Sequence, residues 1–557
     1  MKTKFNGILT LLLALVVQIA FAQTKTISGT VSDETGPLPG VSVLVKGTNT
    51  GTETDFDGNY TIEAAEGAVL QFSFVGMASQ EITVGASSTI NVTMEADNVL
   101  DEVVITGLGI KREKKALGYS QQSVQGEELQ KGKDVDVNNA LAGKVAGVQI
   151  VGNSSTTFGN SQIKLRGETG VLYVVDGVIV YAISDINTAN IADMSVLKGA
   201  SATAIYGPDG RNGVIIITTK TAQSGKATFT IDQATSINQV AAVPDYQNEY
   251  GGGYSQTFNT FSYDPSQDPA DWAAFDGQPY PDFWADESWG PRLDGTPVRH
   301  WDSWIPGTDT FGELRPWSPT TSDVEDFYDK AITNNTTLSF AKGGEDYNIR
   351  TSLQNIFQEG IVPNSQQKTT NFNMNINYDL TDKLTATAIV NYQDRSTLNN
   401  PDQNYGNIGS NMNQWWQRQL NMDRLKNYEQ NGQIVSWNIR GPRDARPLYW
   451  DMPYFHSYEN FKNDYKNAAY GKFALNYEFN EKFSAVAEMR STFNSYTGDD
   501  RATTKSLLDP AFYSEYASNN TKLHFFGMAN YSDKFMDGDL DLDASIGGEI
   551  VNNEYKT

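Results

Sequence analysis

The chain has 557 residues, 39% of them hydrophobic, and a formal net charge of −25 at pH 7. This acidity argues against a nucleic-acid partner, because phosphate binding relies on clustered lysines and arginines. There are no cysteines, which excludes disulfides and thiolate zinc sites. The length is enough for about two to four domains.

The first 22 residues form a predicted secretion signal. Lys2 and Lys4 precede an apolar run, and Ala20-Phe21-Ala22 matches the small-residue pattern of a cleavage site. The alternative, an N-terminal membrane anchor, needs a longer apolar core of roughly 20 residues. We therefore predict export and a mature chain that starts at Gln23.

Residues 23–97 are predicted to form a small antiparallel β-sandwich. Short runs of alternating character are separated by turn residues, and they read TISGTV, VSVLVKG, NYTIEA, VLQFSFV, QEITV and TINVTM. Asp55-Phe56-Asp57-Gly58 is predicted to be a hairpin turn. A calcium loop is the alternative there, but the remaining ligand positions of such a loop do not follow.

A short apolar strand, VLDEVVITGLG, lies in the next segment, 98–115. Alone it cannot pair its own backbone groups. It is either the last strand of the preceding sandwich or an exposed strand that a partner completes, and the residue pattern favours neither. The basic residues that follow, Lys111, Arg112, Lys114 and Lys115, are predicted to be a solvated linker.

Residues 116–222 are predicted to form a compact α+β domain. LQKGKDVDVNNALAGKVAGVQIV indicates a short helix and then a strand, and QIKLRG, VLYVVDGVIV and GVIIITTK indicate further strands. IADMSVLKGASATAIYG is predicted to be a helical stretch between them. The glycines do not form a phosphate-binding loop, because no G-x-x-x-x-G-K-[ST] sequence occurs.

Long amphipathic strands are predicted in residues 223–557. NFNMNINYD places Phe372, Met374, Ile376 and Tyr378 on one face and asparagines on the other, and KFALNYEF and DLDLDASIG alternate in the same way. A soluble sandwich could show such alternation in one segment, so the links between strands decide the class of fold.

These links alternate in length. Short ones occupy 341–346, 379–383, 478–482 and 532–539, and long, aromatic ones occupy 239–334, 394–468 and 494–520. Short turns at one end and long loops at the other are typical of a transmembrane β-barrel.

We count about nine strands. Because the ninth would leave an unpaired edge in lipid, we expect the front part of a longer barrel.

Several of these segments resemble the SusC/RagA family of TonB-dependent outer-membrane transporters. ISGTVSDETGPLPGVSVLVKGTNTGTETDFDGNYTI is similar to the family's carboxypeptidase-regulatory-like extension, and LDEVVITGLG to its TonB box. LAGKVAGVQI, LRG, LYVVDGV and VLKGASATAIYGPDGRNGVIIITTK resemble its plug domain, while WGPRLDGTPV and LYWDMPYF resemble early barrel segments.

The resemblance implies a mainly β protein with a β-sandwich, an α+β plug and the front part of an antiparallel transmembrane β-barrel of about 22 strands. It implies that the plug and the N-terminal domain lie on the periplasmic side. The implied TonB box is Asp101, Glu102, Val103, Val104, Ile105, Thr106 and Gly107. The implied plug motifs are Arg166, Gly167, Asp176, Gly177, Lys198, Tyr206, Gly207 and Gly213.

The function that the resemblance implies is active import of an oligosaccharide or a peptide. TonB, with ExbB and ExbD, is the implied periplasmic partner, and it pairs with the TonB box by strand addition. A SusD-like surface lipoprotein is the implied lid. A surface adhesin or structural barrel is the alternative, and it would have no use for a TonB box and a plug.

No enzyme activity, cofactor or metal is expected. His300, His456 and His524 are isolated, and no catalytic motif occurs. Asp537, Asp539, Asp541 and Asp543 alternate with apolar residues, which favours the lumen face of a strand over a calcium site. All ten Trp lie between Trp272 and Trp450. They either bind cargo or pack the loops together, and packing is the favoured alternative.

Overall fold

The computed structural model describes residues 24–33, 36–48, 50–74, 77, 79–94, 103–105, 111–113, 121–152, 158, 161–199, 202–203, 206–223, 225, 227–401, 408–508, 510–536 and 540–557. The chain divides into two compact units, Met1–Tyr119 and Ser120–Thr557. The predicted signal peptide and Gln23 lie outside the described residues.

The first unit contains a β-sandwich, as predicted. Its strands, with the two that follow in the same unit, are β1 (Thr24–Ser32), β2 (Ser42–Val45), β3 (Gly51–Glu53), β4 (Asn59–Ala65), β5 (Val69–Ser73), β6 (Gln80–Thr83), β7 (Val92–Thr93), β8 (Val103–Ile105) and β9 (Lys111–Glu113). One sheet has the order β4-β1-β7 and the other β3-β2-β5-β6. Alternate residues of both sheets, among them Ile27, Ile62, Val43 and Phe72, share one buried core.

The Asp55-Phe56-Asp57-Gly58 turn is not a hairpin. It joins β3 to β4, which lie in different sheets of the sandwich. The Asp55 carboxylate accepts from the backbone N–H groups of Asp57, at 3.0 Å, and Asn59, at 2.8 Å. The same residues therefore build a turn that crosses between sheets, because a side-chain-capped turn does not require its flanking strands to pair.

The plug region of the second unit is α+β. It contains β10 (Gln121–Gln125), α1 (Gly126–Gln130), α2 (Val137–Ala140), β11 (Val148–Val151), β12 (Gln162–Leu165), β13 (Leu172–Val175), β14 (Val178–Val180), β15 (Ile191–Leu197) and β16 (Val214–Thr219). The main sheet has the order β10-β15-β16-β13-β14, and β11 pairs with β12. Short 3-10 helices cover Ile183–Asp185, Thr188–Asn190 and Gly207–Gly210.

The prediction of a helical, turn-containing stretch from Ile191 was wrong for its first part. Residues Ile191–Leu197 form β15, which lies between β10 and β16 inside the main sheet. Met194, Val196 and Leu197 are completely buried. A central strand is covered on both faces, so it lacks the alternation that would distinguish it from a buried helix.

The remainder of the second unit contains the long strands and the loops between them. In chain order its elements are β17 (Thr228–Asn238), β18 (Asn259–Thr260), β19 (Pro279–Tyr280), β20 (Pro297–Val298), β21 (Arg315–Pro316), β22 (Ala331–Gly343), β23 (Tyr347–Glu359), β24 (Gln366–Thr381), β25 (Leu384–Leu398), α3 (Ile408–Gln414), α4 (Met422–Leu425), β26 (Glu429–Gln430), β27 (Gln433–Ile434), β28 (Ile439–Gly441), β29 (Asp444–Pro447), α5 (Pro453–Glu459), β30 (Phe461–Glu478), β31 (Phe483–Ala502), β32 (Phe512–Phe535) and β33 (Leu540–Lys556). Further 3-10 helices cover Ala270–Phe275, Trp301–Trp304 and Val324–Phe327.

Nine long strands form one antiparallel sheet, which we call the wall. Its order is β17-β22-β23-β24-β25-β30-β31-β32-β33. The count of about nine strands and the short links at one end are as the sequence predicts. The prediction of a long loop over 494–520 was wrong. β31 ends at Ala502 and β32 begins at Phe512, so only 503–511 lies between them. Polar residues there keep pairing in register beyond the apolar stretch.

The wall is apolar on its exposed face and polar on its buried face. In β24 the side chains of Phe372 and Tyr378 are 36% and 47% exposed, whereas those of Asn373 and Asn375 are 2% exposed. A soluble sheet buries its apolar face instead. The reversed arrangement is the one that a transmembrane barrel strand needs, with its outer face in lipid and its inner face in a polar lumen.

Candidate transport site: plug, lumen wall and chamber

The predicted TonB box lies partly within the described residues. β8 (Val103–Ile105) pairs antiparallel with β9, and Val104 lies opposite Arg112. β8 belongs to neither sheet of the sandwich, so within the described residues it is not the sandwich's last strand. The other predicted residues of the box lie outside the described residues, namely Asp101, Glu102, Thr106 and Gly107.

The plug motifs Arg166, Gly167, Lys198 and Gly213 lie at one end of the plug's sheets. The Arg166 N–H donates to the Gly147 carbonyl at 2.8 Å, and Lys198 Nζ donates to the Ala146 carbonyl at 2.6 Å. A Cβ on Gly213 would lie 2.2 Å from Leu165 Cδ2, so only glycine fits there. Tyr206 and Gly207 stand at the start of the helical turn that precedes Gly213. These residues hold the plug together.

The Asp176–Gly177 turn lies at the opposite end of the sheet, against the wall. The Asp176 carboxylate accepts from the Thr219 backbone N–H, at 2.9 Å, and from its hydroxyl, at 2.7 Å. Burial raises the pKa of Asp176. A Cβ on Gly177 would lie 3.8 Å from Lys472 Nζ and 3.9 Å from Arg490 Cζ. The turn therefore faces two cationic side chains of the wall.

Polar contacts join the plug to the wall's inner face. Arg350 Nη1 and Ser352 Oγ both donate to Asn190 Oδ1, at 2.7 and 2.9 Å. Thr492 Oγ1 donates to the Ile179 carbonyl at 3.0 Å, and Tyr470 of β30 packs into the plug's own core. The plug is thus held mainly by hydrogen bonds, which a pulling force can break one at a time and water can replace.

A chamber of about 1280 Å³ lies between the plug, the wall and the loops. The plug contributes Asp134, Asn139 and Asn187, and the wall contributes Gln354, Gln367, Asn371, Gln393 and Arg395. Six of these eight side chains are amides, and apolar side chains such as Ile356, Val362 and Phe461 line the chamber as well. Burial raises the pKa of Asp134, and Lys133 beside it forms an ion pair with Asp232 of β17 at 2.6 Å. The chamber suits a polar cargo that forms many hydrogen bonds.

The long loops fold onto each other above the chamber and form what we call the loop domain, residues 239–330 and 399–460. Arginines of the second loop bind aspartates of the first, in the pairs Arg418–Asp323, Arg424–Asp302 and Arg443–Asp268. Seven of the ten tryptophans are buried, namely Trp272, Trp301, Trp304, Trp317, Trp416, Trp437 and Trp450. Packing of the loops, rather than an exposed binding surface, accounts for most of these aromatic residues.

The sequence alone did not identify the residues of the chamber or the arginine–aspartate pairs. Their partners lie far apart in the chain, for example Arg424 and Asp302. The available signal was the polar face of each amphipathic strand, which marks the lumen but not the positions that contact the plug.

Two family models match the chain. The TonB-dependent Receptor Plug Domain matches residues 113–214, which include the main plug sheet up to the start of β16, and the CarboxypepD_reg-like domain matches residues 27–105. The chain therefore contains a CarboxypepD_reg-like domain followed by a TonB-dependent receptor plug domain.

Curated relatives narrow this class. A TonB-dependent receptor of Formosa agariphila is 32% identical over 482 residues, which are 84% of this chain and 42% of that protein. The receptor SusC of Bacteroides thetaiotaomicron is 41% identical over 241 residues, which are 40% of this chain and 24% of SusC. The chain thus spans less than half the length of these relatives.

The fold agrees with solved structures of the same type. The RagAB peptide importer in its open-open state matches with a TM-score of 0.61 at 18% identity, over 82% of this chain and 49% of that one. The chain thus has the domains and the fold of the SusC/RagA-type TonB-dependent receptors, which are outer-membrane proteins. Among the described residues, no helix is long and apolar enough to cross a membrane.

Proposed function

We propose that this receptor imports a polar nutrient across the outer membrane by energised displacement of the plug. The observation that carries the proposal is the plug fitted against a polar lumen wall, with a chamber of about 1280 Å³ between plug and loops. Cargo enters the chamber, and a force on the plug breaks the hydrogen bonds that hold it to the wall.

The energy comes from a periplasmic partner. We propose that TonB, driven by ExbB and ExbD, adds a strand to the segment Asp101–Gly107 and pulls on the plug. Two three-residue strands make a marginal pair, so TonB can displace β9 and take its place on β8. The proposed domain boundaries are 23–97, 98–115, 116–222 and 223–557.

The cargo is an oligosaccharide or a peptide, and a SusD-like surface lipoprotein covers the loops. The RagAB structures, which share this fold, are those of a peptide importer and support the peptide class. The amide-rich chamber is compatible with either cargo class. No enzyme chemistry is needed, because displacement of the plug makes and breaks no covalent bond of the cargo.

A reversible disulfide between plug and wall tests the proposal. The natural chain has no cysteine, so Asn190→Cys with Ser352→Cys creates a single possible bridge where the two side chains now touch. We expect the oxidised variant to bind cargo at the cell surface but to import it at background levels. Reduction should restore uptake.

The matched control places the bridge within the wall. Thr235 and Asn334 lie opposite each other on β17 and β22, and Thr235→Cys with Asn334→Cys should leave uptake normal when oxidised. Normal uptake through a fully cross-linked Asn190–Ser352 variant would contradict plug displacement. It would favour import by a route that leaves the plug in place, whereas the absence of receptor-dependent uptake in the unaltered protein would favour the alternative, an adhesin or structural barrel.

A further inference from the structure

A hydrogen-bonded chain of amides crosses four strands of the wall's inner face. Gln393 Nε2 of β25 donates to Asn371 Oδ1 of β24 at 3.0 Å. Asn371 Nδ2 donates to Gln354 Oε1 of β23 at 2.7 Å, and Gln354 Nε2 donates to Asn335 Oδ1 of β22 at 2.9 Å. The two inner amides each give one hydrogen bond and receive one, whereas the first member of the chain, Gln393, receives none from it.

The direction of this chain is set by the plug. Gln393 Nε2 also lies 3.4 Å from the Ser184 carbonyl, which can only accept. The nitrogen of the Gln393 amide must therefore point toward the plug, and the three amides that follow take the matching orientation. Gln393 Oε1 is left buried without a hydrogen-bond partner among the described residues, on a side chain that is 2% exposed.

A second unpartnered group lies on the plug, three residues beyond Ser184. Asn187 Oδ1 accepts from the Ala189 N–H at 2.8 Å, which fixes the orientation of this amide as well. Asn187 Nδ2 is buried and has no hydrogen-bond partner in the part of the chain that the structure describes, and the residue is 5% exposed. Asn187 and Gln393 both line the chamber. An unpartnered donor on the plug and an unpartnered acceptor on the wall therefore belong to side chains that border the same chamber.

Buried polar groups without partners are rare because each costs free energy. A ligand group that satisfies both must donate one hydrogen bond and accept another. A carboxylate accepts but does not donate, and an ammonium donates but does not accept. A hydroxyl or an amide does both.

We propose that the seam between Gln393 and Asn187 is a subsite for a neutral hydroxyl or amide group of the cargo. This rests on the proposed function of the chamber and narrows its chemistry. Because Gln393 also contacts the Ser184 carbonyl, a group that binds here lies against a contact that must break when the plug moves.

Three disaccharides of similar size and different charge test the subsite in the full-length receptor. N,N′-diacetylchitobiose is neutral and carries both hydroxyl and amide groups, the glucosamine disaccharide is cationic, and digalacturonate is anionic. We expect the neutral probe to bind at least about tenfold more tightly than either charged probe, the difference that one buried hydrogen bond makes. Gln393→Leu and Asn187→Leu should each weaken neutral binding about tenfold.

Asn373→Leu is the matched control, because Asn373 is an equally buried amide of β24 that does not line the chamber. It should leave the affinity for the neutral probe unchanged. All variants must insert into outer membranes as the unaltered receptor does, and Asn187→Asp replaces any variant that fails.

Equal or tighter binding of a charged probe, no binding of the neutral probe, or an ordered water alone at the seam in a structure with the probe would overturn the subsite. None of these results would affect the disulfide test of plug displacement.

Discussion

Two plug motifs owe their residue types to backbone conformation. Arg166 and Asp176 have φ values of +54° and +49°, and the glycines that follow them, Gly167 and Gly177, have +89° and +86°. Two consecutive residues with positive φ define the tight turn that joins antiparallel strands, where the second position favours glycine. The RG and DG pairs that resemble the family's motifs are thus turn-forming pairs in this plug.

Val104 is the residue at which partner docking is most directly tested. Val104→Pro removes a backbone N–H and fixes φ near about −65°, so the segment can no longer be paired as a regular strand. Val104→Thr keeps the donor and the branched shape and should be far milder. We expect the proline variant alone to lose growth-linked uptake, with TonB present in the same cells.

Surface binding of labelled cargo should survive both Val104 substitutions, because neither changes a residue of the chamber or of the loop domain. Normal transport by the proline variant would show that the partner docks elsewhere. Loss of surface binding together with transport would point to a folding defect.

At the scale of elements, the sequence predicts strands well where one face is polar and less well elsewhere. The alternation around Phe372 and Asn373 identifies β24, including its apolar outer face. The same method fails for β15, which is buried on both faces, and for the ends of β31 and β32, where polar residues continue the pairing. The plug–wall contacts could not be predicted, because they depend on which residues of distant strands meet in the fold.

The loop domain should lose stability in mild acid. Burial, together with the nearby Arg315 guanidinium, lowers the pKa of the His300 imidazole to about 4. His300 is neutral in the folded domain, whereas the unfolded chain takes up a proton below about pH 6.5. Protonation of His300 therefore does not reduce the free energy of unfolding of the loop domain above pH 6.5. Below that pH the free energy of unfolding decreases as the pH falls toward 4, by on the order of 3 kcal/mol in total.

Tryptophan fluorescence reports this loss selectively, because all ten Trp lie between Trp272 and Trp450. We expect the unfolding midpoint reported by the fluorescence signal to decrease as the pH of the unaltered protein is lowered from 6.5 to 4.5. His300→Phe keeps a flat ring beside Trp317 and should flatten this dependence. An equally steep decline in the variant would assign the acid sensitivity to other groups.

At the scale of the whole second unit, rigid and displaceable parts alternate. The loop domain has its own aromatic core and arginine–aspartate pairs, and the wall is a continuous hydrogen-bonded sheet. Between them, the plug contacts the wall through polar side chains such as Asn190 and Thr492. A force on the plug therefore breaks the plug–wall contacts first, and the loop domain and the wall keep their structure.

The two ends of the wall lead to a final prediction about residues 23–557. β17 pairs only with β22, and β33 pairs only with β32, within the described residues. Each of these strands thus offers a row of unpaired backbone groups, and such an edge is costly in lipid. Expressed by themselves, residues 23–557 should not give a monomer with the heat-modifiable mobility and protease resistance of a closed barrel. The same residues followed by further strands that join β33 to β17 should give both properties. Stable, protease-resistant insertion of 23–557 as a monomer would contradict this, and would require that β17 and β33 find partners within the chain itself.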